Sequence, residues 1–574
     1  MDALTKPDLL QDITRLVQTI SAPPVSRDTR RACRDRLAQL RETYRAKPDL
    51  FDPATIRLLK QLAEELDSVP SAVGLTPREV LRAAFGYTEF RTGQEEIISA
   101  TLEGRDCIGV MPTGAGKSLT YQIPARILGG TTLVISPLIA LMKDQVDALD
   151  ELGIRATFIN TSLEPEERRS RVAALRAGRY ELVYAAPEGI EASLADVLAG
   201  CDIRLVAVDE AHCISQWGHD FRPAYRNLAG LKTRFGGAPV LALTATATAE
   251  VVADIERQLG MRAPMRFRGS FFRPNLRLSV YRKGDGRNTR ADILSLVRER
   301  ADRSGIVYCL SRKSVEAVAE FLREHGIRAR PYHAGMDSGD RARVQDAFRR
   351  DEIDVVVATV AFGMGIDKPN IRYVIHRDMP KSLEGYYQEI GRAGRDGSPS
   401  DCVLFYSWAE VASYDRFVGG VEAPGVRDRA RELTREMFAW ADRRACRHQT
   451  LVAYLGEQLA PCRTSCDVCS GVDLLATSRV AAKKPRRQRT DDAEDVPMDE
   501  ALLARLKSLR KQLADARGIP AYLVFSDAAL IQMVERRPAD ETEFLAVSGV
   551  GPKKLAQYGS AFLEALRRDP PRAP

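Results

Sequence analysis

The chain has 574 residues, 44% of them hydrophobic and 28% charged, with a mean hydropathy of −0.25. At about 100–200 residues per domain this is material for about four folded domains, which excludes a small disulfide-stapled module. Against 78 Asp and Glu stand 85 Lys and Arg, a net charge of +7 that permits a polyanionic partner without demanding one.

The chain opens Met-Asp-Ala, with no basic stretch leading into an apolar one, and its longest apolar run, Val355 to Ile366, is broken by Gly363 and Gly365. No signal peptide or membrane span is expected, and the expected location is cytoplasmic, nucleoid-associated if the source is bacterial. Residues 1–75 read as a helical extension, with Ile56, Leu59, Leu62 and Leu66 at helical spacing behind a start signal at Asp52-Pro53. From Asp106 to about Tyr406, short apolar runs alternate with longer polar stretches. Thr132 to Ile135, Glu181 to Tyr184, Leu205 to Val208, Val240 to Leu243, Ile306 to Leu310 and Val355 to Ala358 are the clearest runs. This pattern predicts βαβ units and an α/β fold with parallel sheets, in two lobes at 76–280 and 281–407. A cysteine-bearing subdomain follows at 408–475, then a charge-blocked linker at 476–496. A small helical domain at 497–570 is marked by Leu502, Leu506, Leu509 and Leu513.

The sequence Met111-Pro-Thr-Gly-Ala-Gly-Lys-Ser118 follows an apolar run and precedes a helical stretch. Glycines at 114 and 116 let backbone N–H groups approach phosphates; Lys117 offers a point charge and Ser118 a Mg²⁺ ligand. Met111 stands where the general phosphate-loop pattern has glycine. Downstream, the run Arg204 to Val208 ends in Asp209-Glu210-Ala211-His212. An acidic pair there lies where open α/β sheets bind nucleotides, Asp209 to hold Mg²⁺ and Glu210 to orient the attacking water. The second lobe carries Gln388-Glu-Ile-Gly391-Arg392-Ala-Gly394-Arg395-Asp-Gly397, whose two arginines beside glycines suit delivery of a guanidinium to a γ-phosphate. The loop from Cys213 to Tyr225 contains Trp217, Phe221 and Arg222, a set that reads either as a core plug or as a base-stacking surface. Finally, Cys446, Cys462, Cys466 and Cys469 fall within 24 residues, a spacing suited to a closed, structural tetrahedral Zn²⁺ site. His448, two residues along a helix from Cys446, points about 200° away round the axis and is read as non-ligating.

Taken together, and in this order, these motifs resemble the RecQ family of superfamily 2 DNA helicases over about residues 77–570. Leu81 and the stretch Phe85-Gly86-Tyr87 through Phe90-Arg91-x-Gly93-Gln94 resemble the family's motif 0, which implies that Tyr87 stacks on adenine while Arg91 and Gln94 recognise it. Thr113, Gly114, Ala115, Gly116, Lys117 and Ser118 are then the phosphate-binding residues, and Lys117, Asp209, Glu210, His212, Arg392 and Arg395 the catalytic set, Arg395 as arginine finger. Similar likenesses link Ser136-Pro137-Leu138 with Lys143-Asp144-Gln145, Thr244-Ala245-Thr246, Tyr332 to Met336, and Ala358 to Asp367 to the family's other motifs.

The resemblance further implies two RecA-like lobes, a helical zinc-binding subdomain and a C-terminal domain of the helicase-and-RNase-D type, HRDC. By it, Trp217, Phe221 and Arg222 couple single-stranded DNA binding to ATP hydrolysis. Lys553 and Lys554, after the turn Val547-Ser-Gly549-Val-Gly551, are candidate DNA contacts, although a purely scaffolding turn is equally open. The winged-helix domain carried by many relatives has no room, since only about thirty residues separate Cys469 from Glu500. The expected function is an ATP-dependent 3′–5′ DNA helicase in repair and recombination, using ATP, Mg²⁺ and Zn²⁺. Its expected partners are single-stranded and tailed duplex DNA, with single-strand-binding and recombination or repair proteins as candidates. The rivals are an RNA helicase and a DNA-binding or annealing scaffold with weak ATPase.

Overall fold

The computed structural model describes residues 6–21, 27–67, 74–137, 139–190, 194–215, 222–284, 287–362, 368–418, 424–476 and 499–567. It divides into two units, Met1–Val73 and Gly74–Pro574. The first holds helices Lys6–Ser21, Arg27–Ala46 and Pro53–Asp67. Their apolar faces meet in a core of Leu9, Ile13, Val17, Cys33, Leu37, Leu40, Phe51 and Leu62. The expected start at Asp52 is present: its carboxylate accepts from Thr55 N at 2.7 Å, the backbone bond that does most to hold its pKa below the ordinary value.

The second unit contains two all-parallel sheets. Strands β1 (Cys107–Val110), β2 (Thr131–Ile135), β3 (Ala156–Ile159), β4 (Leu182–Ala185), β5 (Ile203–Val208), β6 (Val240–Thr244) and β7 (Met265–Arg268) form one, in the order β3-β4-β2-β5-β6-β1-β7. Strands β8 (Leu276–Arg282), β9 (Ser304–Tyr308), β10 (Ala329–Tyr332), β11 (Val355–Ala358), β12 (Ile371–His376) and β13 (Ser400–Tyr406) form the other, in the order β10-β11-β9-β12-β13-β8. Five strands of the first sheet (β1–β4 and β6) and β9 and β11 of the second are buried at every position, which is why they read as continuous apolar runs. The chain changes sheets before Leu276, a few residues ahead of the expected division at 280, because β8 pairs along its whole length with β13.

The cysteine-bearing segment extends the second sheet: Leu278 bridges to Cys466, and Asp467 accepts from Val280 N at 3.0 Å. Helices Glu500–Arg517, Ala521–Val524, Asp527–Arg536, Glu541–Leu545 and Ser560–Arg567 build the C-terminal domain. Its own core contains Leu502, Leu506, Phe525, Met533, Phe544 and Phe562.

Candidate nucleotide site and zinc centre

Three loops leave the carboxyl ends of neighbouring strands of the first sheet. The phosphate loop follows β1, the Asp209-Glu210 pair follows β5, and Thr244-Ala245-Thr246 lies at the end of β6, the strand between them. Gly114 and Gly116 both have positive φ, 86° and 79°. A Cβ at 116 would stand 2.4 Å from the Gln94 amide nitrogen, so only glycine fits this turn. Lys117 Nζ donates to Met111 O at 3.3 Å, which holds the ammonium in the curl of the loop, and the helix Leu119–Leu128 begins directly after Ser118.

Glu210 adopts a left-handed backbone, φ 48° and ψ 44°, a conformation costing a non-glycine residue about 1 kcal/mol. It is over-determined by its surroundings: Glu210 N donates to Asp209 Oδ1 at 3.0 Å and Tyr225 Oη to Asp209 O at 2.9 Å. Buried His212 sits with Nδ1 2.9 Å from Thr244 Oγ1 and 3.4 Å from Glu210 Oε2. The acid pair is thereby joined to the loop after β6.

From the second lobe, Arg392 and Arg395 enter the same cavity, of about 660 Å³, which is also lined by Tyr87, Lys117, Ser118, Asp209, Glu210 and His212. The backbone of Arg395 lies against Gly114, its Cα 3.4 Å from where a Cβ would stand there. Phosphate loop, acid pair and arginines thus face one space, the arrangement that phosphoryl transfer to water requires. Ser118 and Asp209, a hydroxyl and a carboxylate on one wall of it, fit the hard oxygen ligation of Mg²⁺.

A residue that sequence reasoning missed holds this closure. Arg273, buried in the crossing between the sheets, donates to Gly391 O (3.0 Å), Ala393 O (2.9 Å) and Gly394 O (2.6 Å) of the arginine loop and to Thr113 O (3.3 Å) of the phosphate loop. Burial holds its guanidinium pKa below the usual arginine value. An isolated Arg before Pro274 carries no pattern, because its partners lie 118 to 160 positions away.

Other expected site residues make contacts within the protein itself. Arg91 and Gln94, expected at the adenine, turn to the phosphate loop: Gln94 Nε2 donates to Ala115 O (3.1 Å) and Gly116 O (2.9 Å), its Oε1 accepts from Arg91 N, and Arg91 donates to Gly114 O. With both amide atoms engaged, Gln94 braces the loop. Tyr87 keeps 40% of its surface exposed at the cavity mouth. Lys553 and Lys554, the candidate DNA contacts, face the first lobe. Lys553 donates to Asp150 O at 3.1 Å, and Lys554 lies 5.7 Å over the Phe525 ring, where burial lowers its pKa to about 8 against the pull of Glu151. Of the aromatic loop, Trp217 and Phe221 lie outside the described residues, as does Gly363 to Asp367 of the second lobe. Arg222 donates to Pro137 O at 3.3 Å beside the nucleotide cavity.

The four cysteine sulfurs lie within 4.8 Å of one another. A tetrahedral ion with Zn–S of about 2.3 Å needs thiolates about 3.8 Å apart, so small adjustments close the cage. Burial raises the Cys446 thiol, but N–H groups of Cys462 and Gln449 and the side chains of Cys462 and Cys469 outweigh it and leave its pKa below the ordinary value. The metal-capable group holds the four cysteines without His448, whose Nε2 is 3.0 Å from both Leu276 O and Ser465 O, two acceptors that require a proton there.

Comparison with known proteins agrees with this anatomy. The DEAD/DEAH box helicase model matches residues 91–255, the helicase conserved C-terminal domain 288–397, the RecQ zinc-binding model 408–470 and the HRDC domain 499–566. An ATP-dependent DNA helicase RecQ from Pasteurella multocida is 38% identical, over 86% of this chain and 94% of that protein. Its counterpart from Haemophilus influenzae is 37% identical over 86% and 96%, and that from Bacillus subtilis 34% over 85% and 98%. Among solved structures, the DUF1998 helicase MrfA bound to DNA shares the fold, with a TM-score of 0.50 at 20% identity over 60% of this chain and 53% of that one.

Proposed function

The chain belongs to the RecQ family and is an ATP-dependent DNA helicase, and on that premise we propose that it moves 3′ to 5′ along single-stranded DNA, with the residues around the nucleotide cavity in the following roles. The reaction is ATP + H₂O to ADP + phosphate. Tyr87 stacks on the base, while Thr113, Gly114, Ala115 and Gly116 present backbone N–H groups to the phosphates and Lys117 adds its charge at the β/γ-phosphates. Ser118 and Asp209 hold Mg²⁺, which neutralises charge on the phosphate oxygens. Glu210 orients and polarises the attacking water, and His212 fixes that carboxylate from Thr244. Arg395, with Arg392 beside it, meets the charge that develops on the transferred phosphoryl group.

Arg91 and Gln94 recognise the adenine beside Tyr87, from positions where they also brace the phosphate loop. Coupling to DNA falls to Trp217, Phe221 and Arg222, bases stacking on the two rings, and Arg222 reaching back to Pro137 at the nucleotide cavity. Cys446, Cys462, Cys466 and Cys469 hold a structural Zn²⁺. Repair and recombination of DNA is the setting, with single-strand-binding protein a candidate partner. The observation that carries the reading is the single cavity shared by Lys117, Glu210 and Arg395 across the two lobes. No described helix is long and apolar enough to cross a membrane.

The test is an unwinding assay on 3′-tailed, 5′-tailed and blunt DNA duplexes and their RNA counterparts. Unwinding of the 3′-tailed DNA alone is expected. Equal use of the 5′ tail overturns the direction, preference for RNA favours the RNA-helicase rival, and ATP hydrolysis without unwinding of any duplex favours the scaffold.

A further inference from the structure

The C-terminal domain touches both lobes at the rim of the nucleotide cavity. On the first lobe, Gly549 N donates to Gly86 O at 3.1 Å, Ser548 lines the cavity beside Tyr87, and Arg517 pairs with Glu151 at 3.2 Å. Gly86 and Gly551 are in backbone contact so close that a Cβ at 86 would meet Gly551 N at 2.5 Å. On the second lobe, buried Arg349, which pairs with Asp144 of the first lobe at 2.6 Å, also reaches the Tyr522 hydroxyl. The deepest contact is a run of alternating charges. Arg510 donates to Asp527 at 2.8 Å, Asp527 accepts from Arg372 of β12 at 3.2 Å, and both terminal nitrogens of Arg372 donate to Asp396. The Asp396 side chain is only 3% exposed, so no solvent replaces a lost partner.

Asp396 is the residue after Arg395, and the pair lies between Gly394 and Gly397, whose φ values are 54° and 85°. Two glycines flanking a two-residue segment add little backbone restraint of their own, so what holds Asp396 bears on the direction of the Arg395 side chain. Arg273 fixes only the carbonyls up to Gly394. Beyond that point Asp396 accepts from Ser398 N at 3.1 Å within the loop and from the Arg372 guanidinium outside it, a fork that Asp527 of the C-terminal domain also engages.

We infer that the C-terminal domain positions the arginine loop for ATP hydrolysis, with Asp527 and Arg372 as positioning residues that act on Arg395 through Asp396. The inference rests on the reading of Arg395 as the group that meets the γ-phosphate. Asp527 touches neither nucleotide nor reacting atoms. Its loss lowers the rate of the chemical step and leaves ATP affinity, which is set on the first lobe, in place.

The test uses the full-length protein with saturating single-stranded DNA. Asp527→Asn is expected to lower kcat about tenfold or more, the size of effect that a small misplacement of a reacting group produces, with KM for ATP nearly unchanged. Arg372→Lys, which keeps the charge but loses the fork, covers the case in which Asp527→Asn unfolds the domain, and the same kcat loss is expected of it. In an Arg395→Ala background, single-turnover rates should show no further loss when Asp527→Asn is added. Unchanged kcat in a folded Asp527→Asn or Arg372→Lys protein overturns the inference, as does an undiminished second loss in the Arg395→Ala background. Full turnover by Arg395→Ala itself would instead overturn the reading of the site.

Discussion

Glu210 and Lys117 face the same cavity but answer to different parts of the reaction. Lys117 is drawn toward the curl of the phosphate loop by Met111 O, so Lys117→Ala removes charge from bound and activated nucleotide alike. Both ATP affinity and hydrolysis should fall. Glu210 acts on water, and its left-handed backbone and contact with His212 aim it there. Glu210→Gln should keep ATP binding, measured with a fluorescent nucleotide, while DNA-stimulated hydrolysis falls roughly 10²- to 10⁴-fold, the usual worth of a positioned general base. These residues were legible in the sequence because each motif is contiguous: the spacing of glycines, lysine and acids along the chain is the spacing the loops need. Lys553 and Lys554 stayed open between DNA contact and scaffold for the complementary reason. A glycine-rich turn before two lysines looks the same whether it meets a DNA phosphate or, as the structure has it, Gly86 and Asp150 of the first lobe.

At the scale of elements, the strands could be read because burial on both faces leaves no alternation to confuse them. Edge strand β8 was divided because only three of its seven positions, Leu276, Leu278 and Ser279, are buried, with Val280 and Tyr281 half-buried, and its membership is decided by pairing with β13. The zinc segment shows how a metal site and local structure support each other. Cys446 Sγ accepts from Gln449 N at the start of the helix Arg447–Tyr454, and Arg447 joins Asp467 at 3.0 Å between Cys466 and Cys469. Trp440, Leu451, Val452 and Leu455 of the segment join the core it shares with the lobes, and the thiolate cage adds to that packing. Elemental analysis should find about one zinc per chain, four ligands making one closed site. Cys469→Ser should lower that content, open the region 446–470 to limited proteolysis and depress Tm, while a metal-free protein of unchanged Tm would refute the assignment.

For the whole molecule, the question is what keeps two sheets in register during catalysis, since each lobe holds only half of the ATPase. Arg273 is placed to answer it, because one guanidinium satisfies three carbonyls of the arginine loop and one of the phosphate loop. Those acceptors lie in a buried crossing where a lost donor is not replaced cheaply: each unsatisfied carbonyl costs about 1–3 kcal/mol. Arg273→Ala should therefore loosen the apposition of the lobes more than it disturbs either sheet. Nucleotide affinity, set largely on the first lobe, should change little, while DNA-stimulated kcat should fall roughly a hundredfold as the arginines lose their position by an ångström or so. Arg273→Lys should not restore it, since an ammonium on a flexible stem cannot span four acceptors in the fixed fork that a guanidinium provides. Steady-state ATPase against ATP concentration separates the two effects. A rise in KM with intact kcat would place Arg273 in nucleotide binding and leave the coupling of the lobes to other contacts, such as the Arg349–Asp144 pair.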